Sequence, residues 1–171
     1  ETAKVYVELI LDASGSMARR TPSGATRWAT VTQELTRALE RLGPARGNVF
    51  RFADEVESVF PRSELFTRAR RRAVAQWLAG TEPGGRTALF DGVAAALADP
   101  DIDQVVVLSD GAPSAGSFFT KTDLLTEIGR RNRWRRARID VVAVGADGIA
   151  RRWRDVLRRL ADASGGTCVQ R

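Results

Sequence analysis

The sequence predicts an open α/β sheet of mainly parallel strands with helices on both faces. Three observations carry that prediction. Short apolar runs alternate with stretches of helical period through most of the chain. The runs over residues 5–11 and 104–108 are apolar on nearly every side chain, as expected of parallel strands covered by helices on each side. At 171 residues and 43% hydrophobic content, the chain is one domain long enough to bury a real core.

Residues 5–11 read as the first strand, with Glu8 the one polar interruption; it needs a partner such as an Arg, or a place near the strand's solvated end. Residues 18–26 are polar and contain Pro22 and Gly24, so they form a loop. Trp28, Val31, Leu35, Ala38, Leu39 and Leu42 then share one helical face, stopped by Gly43-Pro44. Residues 49–52 form the second strand. A tight turn at Asp54-Glu55 leads to a short antiparallel return strand over 56–60 at a sheet edge, ended by Pro61. Ser63 is a candidate N-cap for a helix bearing Leu65, Phe66, Val74, Trp77 and Leu78, closed by Gly80. Residues 81–87 make a loop in which Gly84-Gly85 allows close backbone approach. Leu89, Val93, Ala96 and Leu97 mark a short helix after it. The strand over 104–108 runs into Ser109-Asp110-Gly111. Asp123, Leu124, Leu125 and Ile128 begin a helix that enters an Arg-rich stretch. A strand over 139–144 is followed by an amphipathic helix through Ile149, Trp153, Val156, Leu157 and Leu160. A last short strand covers 167–170.

Composition excludes several chemistries. The chain has no His and one Cys, so it carries no Ser-His triad, no His-ligated metal, no internal disulfide and no Cys-rich zinc site. No apolar run approaches the roughly 20 residues of a membrane-spanning helix, so no membrane insertion is expected. The chain begins at Glu1 without the pattern of a signal peptide or an initiator Met, and is expected to be a piece of a longer protein. Net charge is +6, with 25 Arg against 2 Lys. Arg130, Arg131, Arg133, Arg135, Arg136 and Arg138 surround Trp134, but Arg near a helix C-terminus is favoured by its dipole, and no nucleic-acid binding is expected. Arg151, Arg152, Arg154, Arg158 and Arg159 fit the solvated face of the following helix.

The chemistry lies at strand ends. The first strand stops in Asp12-Ala13-Ser14-Gly15-Ser16-Met17 and the fourth in Ser109-Asp110-Gly111. Open α/β sheets bind ligands outside the carboxyl ends of their strands, where strand order reverses. If those two strands are neighbours across the reversal, Asp12 and Asp110 lie side by side, and the loop bearing Thr87 reaches the same edge. Asp12, Ser14, Ser16, Thr87 and Asp110 then supply carboxylate and hydroxyl oxygens suited to Mg²⁺ or Mn²⁺, with Ca²⁺ a poorer match. If a carboxylate binds only through water, the ion stays electrophilic and can accept a carboxylate from outside. Gly15 and Arg86 are candidates for the rim, Phe118 and Phe119 for the core or for an apolar rim beside the metal, Met17 for packing beneath the loop, Asp91 for stabilising its helix start or as a sixth oxygen, and Cys168 for a buried, unreactive thiol.

With these residues assembled, the chain resembles the von Willebrand factor A (VWA) domain with a complete metal-ion-dependent adhesion site, or MIDAS: Asp12-x-Ser14-x-Ser16, then Thr87 in a Gly-Gly-x-Thr-Ala-Leu loop, then Asp110-Gly111. The resemblance covers essentially all of residues 1–171 and is closer to bacterial than to animal members. It implies a Rossmann-like three-layer sandwich whose six-stranded sheet has one antiparallel edge strand. It implies that Ser14, Ser16 and Thr87 reach the metal, that Asp12 and Asp110 act directly or through water, and that a protein partner completes the shell with Asp or Glu. Many adhesion-type members carry a further helix after the last strand; here the chain stops at Arg171, either because that helix is trimmed away or because the protein ends there, and both alternatives count against a C-terminal piston.

The function expected is therefore a metal-dependent protein-binding module without enzymatic activity. The alternative is a phosphoryl-transfer enzyme with Asp12 as nucleophile. The haloacid-dehalogenase type of that chemistry needs a second Asp where this chain has Ser14, and Lys121 is the single Lys of the second half. An interaction subunit of an ATPase-driven assembly is a variant of the binding reading.

Overall fold

The computed structural model describes residues 5–111, 113–145 and 148–171, with the backbone alone for 148–152. Glu1-Thr2-Ala3-Lys4 and the side chains of Ile149, Arg151 and Arg152 lie outside the described residues. The central strand β1 (Val5–Asp12) pairs in parallel with β2 (Ala45–Phe52) on one side and β5 (Gln104–Ser109) on the other. Beyond β5 lie β6 (Arg138–Ala143) and β7 (Cys168–Gln170), both parallel. Strand order is β3-β2-β1-β5-β6-β7, so the direction of winding reverses between β1 and β5.

Two short strands run antiparallel to β2: β3 (Val56–Ser58) and β4 (Glu64–Leu65). Among the described residues the sheet therefore has seven strands rather than six, and two antiparallel ones rather than one. The additional pairing uses Leu65, which the sequence places in a helix. That helix, α2 (Arg68–Ala79), starts later, because Thr67 rather than Ser63 caps it by accepting the Arg70 N–H. Ser63 is used elsewhere: its hydroxyl meets Glu8 Oε1 at 2.6 Å and also contacts Asp99 Oδ2. Among the described residues Glu8 is thus buried without an Arg partner, which corrects the expectation of an ion pair or a solvated position.

Alternation along β1 sorts side chains onto two faces. Val7, Leu9 and Leu11 pack with Trp28, Val31, Leu35 and Leu39 of α1 (Arg27–Arg41) and Val74 and Leu78 of α2. Ile10 packs on the opposite face with Phe90 and Val93 of α3 (Leu89–Ala96), Leu124 and Ile128 of α4 (Lys121–Arg135), and Val156 and Leu157 of α5 (Gly148–Asp162). Asp12 shares the parity of Ile10, so the strand that fills the core also aims a carboxylate along its α3 side. Met17, in a single 3-10 turn over Gly15–Ala18, is fully buried under the first loop, as expected. Cys168 is half-buried, and burial pushes its thiol up. Among the described residues no helix is long and apolar enough to cross a membrane.

Helix α1 is launched by Thr26, whose side chain accepts the Ala29 N–H at 3.1 Å. Thr26→Ala is expected to lower unfolding free energy by about 1 kcal/mol, measured by urea denaturation.

Candidate functional site

Each functional side chain is positioned by the end of a core element. The pairing Leu11↔Leu108 brings the ends of β1 and β5 together. Ser109 Oγ donates to Asp12 Oδ2 at 2.6 Å and accepts the Gly111 N–H at 2.9 Å. The other oxygen of Asp12, Oδ1, accepts the Ser14 N–H at 2.9 Å. Asp12 is fully buried and so held at both oxygens. Burial, and next the charge of Asp110, push its carboxyl up to about 6; the hydrogen bonds from Ser109 and Ser14 oppose that rise.

The loop after β1 turns back through its hydroxyls: Ser14 Oγ and Ser16 Oγ lie 3.1 Å apart. Backbone bonds lace this loop to the glycine loop, with Gly15 N–H donating to Gly85 O and Gly84 N–H to Ala13 O. Gly85 adopts φ +75°, and a Cβ there would collide with Asp54 Oδ2, so glycine is required at this crossing. Thr87 is buried just before α3. Its carbonyl accepts the N–H groups of Ser114 and Ala115, and its own N–H donates to Ser114 Oγ, tying it to the loop that follows Asp110. All three loops carrying the predicted oxygens are therefore joined to one another by hydrogen bonds.

Asp110 is buried and ion-paired: Arg27 Nη1 donates to its Oδ2 at 3.0 Å. Its Oδ1 is buried with no hydrogen-bond partner among the described residues. Arg27 begins α1 and crosses to the end of β6, where a Cβ on Gly145 (φ +87°) would lie 2.6 Å from the guanidinium carbon. Neither Arg27 nor Ser109 is among the sequence's site candidates. The signal for Arg27 is its place in the first turn of a helix, where the macrodipole disfavours a cation. The signal for Ser109 is a hydroxyl directly before the strand-ending carboxylate.

The rim candidates divide. Gly15 is exposed. Arg86 Nε donates to Asp54 Oδ1 at 2.7 Å, and this contact holds the Asp54 carboxyl below its ordinary value. Phe118 is half-buried, edge-on to Phe90 at 4.7 Å, whereas Phe119 is 55% exposed. Asp91 stands in the first turn of α3 and also accepts the Ser117 N–H at 3.1 Å.

A family model of the von Willebrand factor type A domain matches residues 7–169. The chain belongs to that family. VWA domains are protein-interaction and adhesion modules. Solved structures share the fold. The VWA protein from Catenulispora acidiphila superposes with a TM-score of 0.80 at 21% identity, covering 99% of this chain and 39% of that one. The pilus adhesin SpaC from Lactobacillus rhamnosus GG gives 0.75 at 13% identity, over 99% of this chain and 28% of that one. BatB from Bacteroides thetaiotaomicron gives 0.70 at 16% identity, over 98% and 90%. This VWA domain thus spans well under half of the first two proteins. No curated protein matches it.

The residues of this VWA domain fit the divalent cation that the family implies. Among the described residues no three His, Cys, Asp or Glu side chains cluster as a metal site. The Ser14–Ser16 separation of 3.1 Å matches the about 3.0 Å between neighbouring oxygens of an octahedral Mg²⁺ shell. With both carboxylates ionised, Asp12, Asp110 and Arg27 sum to one negative charge, which a divalent ion converts to one positive.

Proposed function

We propose that this VWA domain is a divalent-metal-dependent protein-binding module. Asp12, Ser14, Ser16, Thr87 and Asp110 hold Mg²⁺ or Mn²⁺, and an Asp or Glu of a partner completes the coordination shell. The observation that carries this reading is the orphaned Asp110 Oδ1: a buried carboxylate oxygen without a donor demands a cation or water. Its partner oxygen is committed to Arg27, so Oδ1 is the atom left for the site. Asp12, with both oxygens already accepting, reaches the ion most simply through water. The ion supplies an electrophile for a visiting carboxylate; Phe119 supplies exposed apolar surface on the loop after Asp110. No enzymatic activity is assigned: Asp12 is buried and held by Ser109 and Ser14, a poor arrangement for a nucleophile.

The test is calorimetric titration with Mg²⁺ and Mn²⁺, followed by thermal melts. Saturable binding with a raised melting temperature is expected, and Asp12→Ala should abolish both. Absence of metal binding, with Asp12→Ala indistinguishable from the parent, would overturn the reading. A glutamate-containing partner peptide is expected to bind with metal and dissociate in EDTA.

A further inference from the structure

At the opposite end of the sheet from Asp110, a cleft of about 450 Å³ opens between α4 and α5 beside the start of β6. Its floor is apolar, formed by Ile128, Ile139 and Leu160, all buried in the core. Its rim carries Arg133, Arg136 and Arg159. None of these three guanidinium groups makes a hydrogen bond or ion pair among the described residues, which they share with Arg41, Arg46, Arg68 and Arg72, while Arg27, Arg51, Arg86, Arg130, Arg138 and Arg158 are paired. No carboxylate lines the cleft.

We propose that this cleft is a second, metal-independent binding site, which takes an acidic segment of a protein partner with an apolar side chain seated between α4 and α5. The polar groups of the cleft wall are already used: Asn132 exchanges both amide atoms with the Ala137 backbone, and Ser164 Oγ accepts the Ile139 N–H. The guanidinium groups alone remain to meet a polar ligand, and they select anions, preferably carboxylates in bidentate geometry. An apolar floor beneath a cationic rim is complementary to a chain that alternates acidic and apolar residues.

Two local features are unfavourable for folding and favourable for this site. Gly129 sits in the interior of α4, where glycine is the poorest helix former after proline, and a Cβ there would meet nothing within 4 Å. Its missing side chain keeps the cleft open. Arg136 caps α4 in the left-handed region at φ 54°, a position that glycine normally fills, and it is the one non-glycine residue with positive φ among the described residues. The macrodipole favours Arg in a last turn but does not require one in this conformation. Nucleic acid is the less suitable occupant, because no aromatic side chain lines the cleft to stack a base; Trp134, on the same helix, lies outside it.

The experiment is fluorescence anisotropy of a fluorescein-labelled peptide of alternating glutamate and leucine, in EDTA and again in Mg²⁺. Saturable binding in EDTA is expected, which separates this site from the proposed metal site. Arg133→Glu combined with Arg159→Glu should weaken binding about tenfold or more. Gly129→Leu should fill the cleft and weaken binding similarly while leaving the melting temperature unchanged or raised. The combination Arg37→Glu and Arg62→Glu, remote from the cleft, should change affinity by less than about twofold. The proposal is overturned by absent binding, by binding only in Mg²⁺, by an equal loss in the remote variant, or by undiminished binding of a glutamate-serine peptide. It is equally overturned if Gly129→Leu binds like the parent, or if a single-stranded oligonucleotide binds more tightly with the same sensitivity to the cleft variants.

Discussion

Arg27→Met is expected to destabilise the metal-free domain by about 3–5 kcal/mol, read from urea denaturation in EDTA. The pair it breaks is deeply desolvated, with side-chain exposures of 6% for Arg27 and 1% for Asp110. Removing the guanidinium leaves Asp110 buried with neither oxygen paired, because Oδ1 lacks a donor already. It also leaves Asp12 and Asp110 repelling each other; the charge of Asp110 already helps push Asp12 up. The loss should therefore exceed that of a surface ion pair such as Arg158–Asp155, for which a few tenths of a kcal/mol is typical. Divalent metal should reverse part of the defect. Without Arg27 the ionised site carries two negative charges rather than one, so saturating Mg²⁺ should raise the melting temperature of Arg27→Met by more than that of the parent. If the variant is destabilised but metal restores no more than in the parent, Arg27 acts on the fold and not on the cation site.

What can be read from the sequence follows from where each residue's role is local. Asp12, Ser14 and Ser16 stand out as candidates because a buried strand that stops in three oxygen side chains offers the donors a hard cation needs, and the β1–β5 neighbourhood, a condition at the level of sequence, is met in the sheet. Asp110 is a candidate for the same reason, at the end of β5, and Thr87 because the Gly-rich loop that bears it runs into the start of α3. Arg27 is not, because it acts across 83 residues of sequence, and nothing in the pattern says which of 25 Arg crosses the core. β4 escapes because a two-residue strand has no period to detect. Ser63 and Thr67 are both good caps four residues apart, and only the buried carboxylate at Glu8 decides that Ser63 serves the core while Thr67 starts α2. The Arg-rich stretch does lie at the end of α4, yet the α4–α5 cleft that some of these side chains border is a tertiary feature without a sequence signature.

Glu8 leads to the second large expectation, a fall in stability as pH rises through the weakly acid range. Burial, opposed by hydrogen bonds from Ser63 and Asn48 and reinforced by Asp99, pushes its carboxyl from 4.5 up to about 7. The geometry accommodates such a proton: Ser63 has one hydroxyl hydrogen and contacts oxygens of both Glu8 and Asp99, and a protonated Glu8 carboxyl would donate the contact that the hydroxyl cannot. Between pH 4.5 and 7 the folded chain therefore holds a proton at Glu8 that the unfolded chain has released. Stability then decreases with pH: the contribution is complete below the unfolded value and lost as pH approaches the folded one. The shift corresponds to about 3 kcal/mol across that interval. Asp12, raised to about 6, adds a slope of the same sign in EDTA, so the parent curve alone does not isolate Glu8. Glu8→Gln does, because the amide keeps the shape and cannot ionise. Its unfolding free energy should be flatter between pH 4.5 and 7 by that amount, and the difference from the parent should be greatest at neutral pH. Parallel curves for the two proteins would mean that Glu8 stays ionised in the fold, with a cation rather than a proton between it and Asp99.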